Sequence, residues 1–111
     1  MTKRTYTPAP SNVALANIIA SFETEKQVAI IKRLIGRLYF NQEVVERQTR
    51  STVFDNKVGF NKADALGGTE LAEKIMAGVA SDVEVLAWGA IRPNGTSRIS
   101  KYWKQFINVS L

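Results

Sequence analysis

The stretch from Val28 to Tyr39 constrains this chain more than any other. Apolar residues recur at Val28, Ile31, Leu34, Ile35, Leu38 and Tyr39, while Lys26, Arg33 and Arg37 fall on another face. That spacing follows the 3.6-residue turn of an α-helix and not the two-residue alternation of a half-buried strand. Thr24 stands where an N-cap is needed. A helix with so broad an apolar stripe must be covered by the rest of the chain.

Further helical patterns supply that cover. Ser11 offers an N-cap, and Val13, Ala16, Ile19 and Ala20 repeat at helical spacing, which predicts a helix over about residues 12–22. Asn41 can cap a third segment through Val44 and Val45 that decays into the β-branched stretch Gln48 to Val53. Asp55-Asn56-Lys57 followed by Gly59 reads as a turn. Asn61 or Thr69 can start the next helix, with Leu71, Ala72, Ile75 and Met76 inward and a Glu70–Lys74 pair at i,i+4. Gly78 supplies its stop, and Gly67-Gly68 predict a break or a close helix crossing.

Residues 81–111 carry two patterns. Ser81 or Asp82 can cap a helix containing Val83, Leu86, Ala87 and Ala90, yet Val83, Val85, Ala87 and Ile91 also alternate as in a strand. Asn94-Gly95 is a type I′ hairpin signal. Helix is favoured at the end. Ile99, Tyr102, Trp103 and Phe106 share one face of a wheel, and Arg98, Lys101, Lys104, Gln105 and Asn108 share the other. The expected fold is all-α, a compact bundle of about five or six short helices, with a β-hairpin around residues 91–98 as the alternative there.

With 111 residues, 45% of them apolar, the chain can build one core, and two domains would each be too small. Met1 to Pro10, polar, basic and holding two of the three prolines, is expected to be a flexible arm, with residues 11–111 as a single helical domain. Cysteine and histidine are both absent. Disulfides, thiolate metal sites, Ser-His and Cys-His catalysis and histidine-rich metal centres are thereby excluded. Pro8, Pro10 and Asn17 interrupt the only stretch resembling a secretory leader, and no run reaches the ~18 apolar residues of a membrane span. A cytoplasmic protein without a membrane partner is expected.

The net charge of +5 is unevenly placed. Residues 1–40 carry six Lys/Arg against two acids, residues 41–90 five against eight, and residues 91–111 four against none. Clustered cations at both ends favour an anionic partner.

The residues Val58-Gly59-Phe60-Asn61, Asp64-Ala65, Thr69, Leu71-Ala72, Gly78, Lys101-Tyr102 and Gln105 resemble a small helical module that recurs in bacteriophage and prophage proteins. The module is often appended to phage helicases and other DNA-transacting proteins, and the likeness covers roughly residues 49–106. Lys57 stands where the module has glycine, Gly67-Gly68 replace two apolar residues, and Arg92 to Arg98 extend it by about six residues. The resemblance implies a phage DNA-metabolism context, including DNA replication, and a host-cell cytoplasm.

Phe60 beside Gly59 is expected to be a buried anchor rather than a stacking platform, and Asp64 to cap or buttress a helix start. Trp88 and Trp103 read as core or interface anchors. The expected DNA-binding residues are Arg92, Asn94, Arg98, Lys101, Lys104, Gln105 and Asn108, with Lys3 and Arg4 as a flexible clamp. Cations serve phosphates, while Arg, Asn and Gln can read base edges. The expectation is a non-catalytic accessory protein that binds double-stranded DNA, with no cofactor, no metal and no catalytic residues. The alternative is a protein-interaction module that inhibits or adapts a phage or host enzyme, such as a replication protein, through a basic docking surface.

Overall fold

A computed structural model describes residues 12–49, 59–61 and 63–106, with side chains of the long helix described through Gln42. The expected arm at residues 1–10, the Ser11 cap, most of the turn at 55–59, Lys3, Arg4 and Asn108 lie outside the described residues. Among those described the fold is all-α: α1 (Asn12–Ala20), α2 (Thr24–Thr49), α3 (Ala65–Ala77), α4 (Asp82–Ala87) and a 3₁₀ segment (Ser100–Phe106).

α2 is the axis of the bundle. Val28, Ile30, Ile31, Leu34, Ile35 and Leu38 are buried along it, and α1, α3 and α4 pack against it. Ile30 widens the stripe beyond what simple i,i+3,i+4 spacing marks. The expected boundary at Asn41 does not exist, because α2 continues unbroken to Thr49. A potential capping residue ends a helix only where the backbone already turns, and here it does not.

The Gly67-Gly68 pair makes neither the break nor the helix crossing expected of it, and the close approach is by the Phe60 ring from the segment before α3. α3 runs through both glycines, and a β-carbon at Gly68 would lie 2.5 Å from the Phe60 ring. The missing side chain is the space that Phe60 occupies. α3 ends at Gly78 in the left-handed conformation (φ 76°), as glycine permits without steric cost. Met76, expected inward, is exposed, whereas Leu71 and Ala72 are buried. Lys74 pairs with Glu84 at 2.8 Å rather than with Glu70, and so joins the end of α3 to the start of α4.

α4 begins with a complete capping box. The Glu84 amide donates to the Ser81 hydroxyl, and the Glu84 carboxylate accepts from the Ser81 amide at 3.0 Å. Those bonds, led by the Lys74 ammonium, hold the Glu84 carboxyl down at about 2. Val85 and Trp88 enter the core, while Val83 points outward.

Residues 91–98 form a closed turn, and no strand forms among the described residues. The Gly95 amide donates to the Arg92 carbonyl at 2.8 Å and the Arg92 amide to the Thr96 carbonyl at 2.7 Å. The Ile99 amide then reaches the Trp88 carbonyl at 2.8 Å, which closes the loop onto the end of α4. The expected final α-helix is instead a 3₁₀ segment kinked at Tyr102 (φ −97°, ψ 19°). The kink breaks any regular helical repeat, and Tyr102 and Gln105 both turn toward the segment before α3, reaching Asp64 and Gly59. Ser100 anchors the other side, donating to Asn12 Oδ1 at the start of α1 at 2.7 Å.

Candidate nucleic-acid interface

The residues expected to bind DNA separate into two groups once the backbone is in place. Asp64 is 4% exposed and precedes α3. Asp64 stands at the N-cap position but its side chain makes no cap hydrogen bond, and Asn61 Oδ1 accepts from the Asp64 amide at 2.9 Å, closing the turn that leads into α3. The carboxylate turns instead toward the C-terminal segment. It accepts from the Tyr102 hydroxyl at 2.5 Å, from Arg98 Nε at 3.0 Å and from Lys101 Nζ at 2.9 Å. Burial pushes the Asp64 carboxyl up, but these three donors outweigh it and leave the group below its ordinary value. Burial and the neighbouring carboxylate push the Tyr102 phenol up, so it remains a donor.

Aromatic rings pack around this cluster, while the Arg98 and Lys101 side chains stay partly exposed. The Arg98 guanidinium carbon lies 4.0 Å from the centre of the Trp88 ring, in cation–π geometry. Phe60 meets Trp88 and Tyr102 edge-on, with centroids 5.6 and 6.2 Å apart. The Tyr102 oxygen also accepts from the Asn61 amide at 3.0 Å. Gln105 makes a two-way contact with Gly59: the Gly59 amide donates to its Oε1 at 2.7 Å and its Nε2 donates to the Gly59 carbonyl at 3.0 Å. Arg98, Lys101 and Gln105 thus tie Gly59, Phe60 and Asp64 to the C-terminal segment. Asn94 likewise serves its own turn, accepting from the Thr96 amide and hydroxyl at 3.1 and 2.7 Å.

Arg92 and Lys104 are the exposed cations of the expected surface. Lys104 lies over the half-buried Trp103, 5.7 Å from its ring centre. The wheel that grouped Arg98, Lys101, Lys104 and Gln105 on one face does not describe this segment, because its backbone is not α-helical.

No family model matches this chain. No curated protein and no solved structure matches it significantly either.

A second set of cations lies on α2. Lys26, Arg33 and Arg37 are exposed, and at ~100° per residue they fall within about 40° of arc. They extend over about 16 Å of helix axis at ~1.5 Å per residue. Lys32 flanks them, half-buried, and Lys26 packs over Phe22 with its ammonium 5.5 Å from the ring centre. Between Lys26 and Phe40 the helix carries no acid. The positions that complete this face are small, Ala29 and Gly36, until Phe40 ends it. A β-carbon at Gly36 would meet nothing within 4 Å. Sequence periodicity already separates these cations from the apolar stripe. It does not show that Arg98 and Lys101 converge on the buried Asp64 carboxylate.

Among the described residues no group of three acidic side chains is placed to hold a metal ion, and no helix is long and apolar enough to cross a membrane.

Proposed function

We propose that this chain is a non-catalytic accessory domain that binds double-stranded DNA, and that the exposed face of α2 is its main contact with the phosphate backbone. The observation that carries this reading is the row Lys26, Arg33 and Arg37 with Gly36 between the last two. A mid-helix glycine costs roughly 1 kcal/mol relative to alanine, and a β-carbon at Gly36 would meet nothing within 4 Å. Three aligned cations flanked by the small residues Ala29 and Gly36 leave room for a phosphate strand to come close to the helix backbone, and the unbroken helix holds their spacing.

Arg92 and Lys104 add exposed positive charge, while Arg98, Lys101 and Gln105 act through the fold by fixing the C-terminal segment. The likeness to a phage DNA-metabolism module supports the same context. Of the residues that carry the likeness, Gly59, Phe60, Asn61, Asp64, Lys101, Tyr102 and Gln105 meet around the Asp64 carboxylate, and in this reading the contact with DNA falls to residues outside it.

An electrophoretic shift series with duplex DNA, single-stranded DNA and heparin tests the reading. The expected result is a duplex complex that heparin displaces and moderate salt dissolves. Absence of a duplex shift at low salt would contradict it and turn attention to a protein partner.

A further inference from the structure

The described surface carries two faces of opposite character. At the junction of α3 and α4, Met76, Val79 and Val83 are 65%, 67% and 77% exposed, and the Lys74–Glu84 bridge fixes the two helices beside them. Glu70 and Glu73 on α3 and Asp82 on α4 are exposed as well, with Glu73 accepting from the Tyr39 hydroxyl of α2 at 3.5 Å. On α2, Arg33 and Arg37 are exposed beside Phe40, which is 64% exposed. One face is apolar with carboxylates; the other is basic with an aromatic ring at its end.

We propose that a second copy of this chain docks head to tail, the Arg33, Arg37 and Phe40 face of one molecule seated on the Met76, Val79 and Val83 face of the next. Charge complementarity selects this occupant. Two acidic faces brought together would set Glu70, Glu73 and Asp82 against their own copies, and two α2 faces would oppose arginine to arginine. The heterologous pairing instead brings guanidinium to carboxylate and covers Phe40 with aliphatic side chains. Such a contact leaves one face open at each end, so it extends into short arrays unless the rotation closes a ring. Duplex DNA and a neighbouring copy then compete for α2, and the α3–α4 face takes no part in DNA binding.

Sedimentation velocity on the purified full chain tests this. The parent is expected to grow in average mass above 12.3 kDa with increasing concentration, and added salt is expected to reverse the growth. Arg33→Glu/Arg37→Glu keeps only the acceptor face, and Met76→Ser/Val83→Ser keeps only the donor face. Each alone is expected to remain at 12.3 kDa, while an equimolar mixture forms a capped pair of about 25 kDa, twice the monomer mass. All four positions are exposed, and circular dichroism checks that both variants are folded.

A parent that stays monomeric at every concentration overturns the proposal. So does a mixture that fails to pair, including the case in which Met76→Ser/Val83→Ser still prevents growth, which would indicate like faces meeting. The DNA reading is judged separately. Met76→Ser/Val83→Ser leaves α2 and every charge intact, so its duplex shift reports on DNA binding whether or not copies associate.

Discussion

Arg98 and Lys101 in the C-terminal segment and Arg33 and Arg37 on α2 are the same kinds of side chain, in comparably basic stretches, with opposite employment. The first pair converges on one buried carboxylate, with side chains 36% and 31% exposed. The second stands on the outer face of a long helix whose other side is the core. Local charge density does not distinguish them. The difference is the distant Asp64, which turns the first pair into structure.

The comparison breaks most visibly at Asp64. Asp64→Ala leaves Arg98, Lys101 and the Tyr102 hydroxyl without their shared acceptor. Loss of one partner from a buried pair costs ~3–5 kcal/mol, and the partial exposure of both cations lowers the expectation to about 2–3 kcal/mol. Urea unfolding should register that loss, while Arg37→Ala should stay within about 0.5 kcal/mol of the parent.

Acid should imitate the substitution. The Asp64 carboxyl is lowered in the folded state from its ordinary 3.8. Its contribution is therefore complete above that value and is lost as pH falls through the lower folded one. The stability of Asp64→Ala relative to the parent should converge below about pH 4, measured by denaturant midpoint at each pH.

Smaller effects sharpen the same contrast. Gly68→Ala pushes a methyl group into the Phe60 ring against which Trp88 and Tyr102 pack. Overpacking of this kind costs ~1–3 kcal/mol. Gly36→Ala should do the reverse, stabilising the fold by about 0.5–1 kcal/mol because the site is open, while weakening duplex binding severalfold. Thermal melts and binding titrations on the two variants provide the check. A Gly36→Ala protein no more stable than the parent would mean that this glycine is needed by the fold.

The parts legible in the sequence are those governed by local periodicity. The α2 stripe, the Ser81 cap and the Gly78 stop each depend on residues within a turn or two of one another. Phe60 as a buried anchor also follows from its own neighbourhood, since an aromatic side chain beside a turn glycine has little alternative to burial. What escaped was non-local. No wheel drawn on residues 98–108 contains Asp64, which is 34 residues before Arg98. Met76 follows α3's helical period but lies in its last turn, where it is left exposed. The assumption of α-helical geometry at the C-terminus then grouped Gln105 with the cations, although the kinked segment carries it and Tyr102 toward Gly59 and Asp64. One signal was available. Tyr39-x-x-Gln42 and Tyr102-x-x-Gln105 share a spacing, and both glutamines close on the Gly59 to Thr69 region: Gln42 bonds the Thr69 hydroxyl at 3.1 Å and Gln105 bonds Gly59.

The most direct test of the two-region account is the salt dependence of duplex binding for two alanine variants measured beside the parent. Lys26→Ala/Arg33→Ala/Arg37→Ala should lose orders of magnitude in affinity, and its log K against log salt slope should fall by about 2.7, at ~0.9 per phosphate contact. Arg98→Ala/Lys101→Ala, assayed at a temperature where circular dichroism shows it folded, should keep the parental slope. A parental slope in the α2 variant together with a reduced slope in the C-terminal variant would contradict the account.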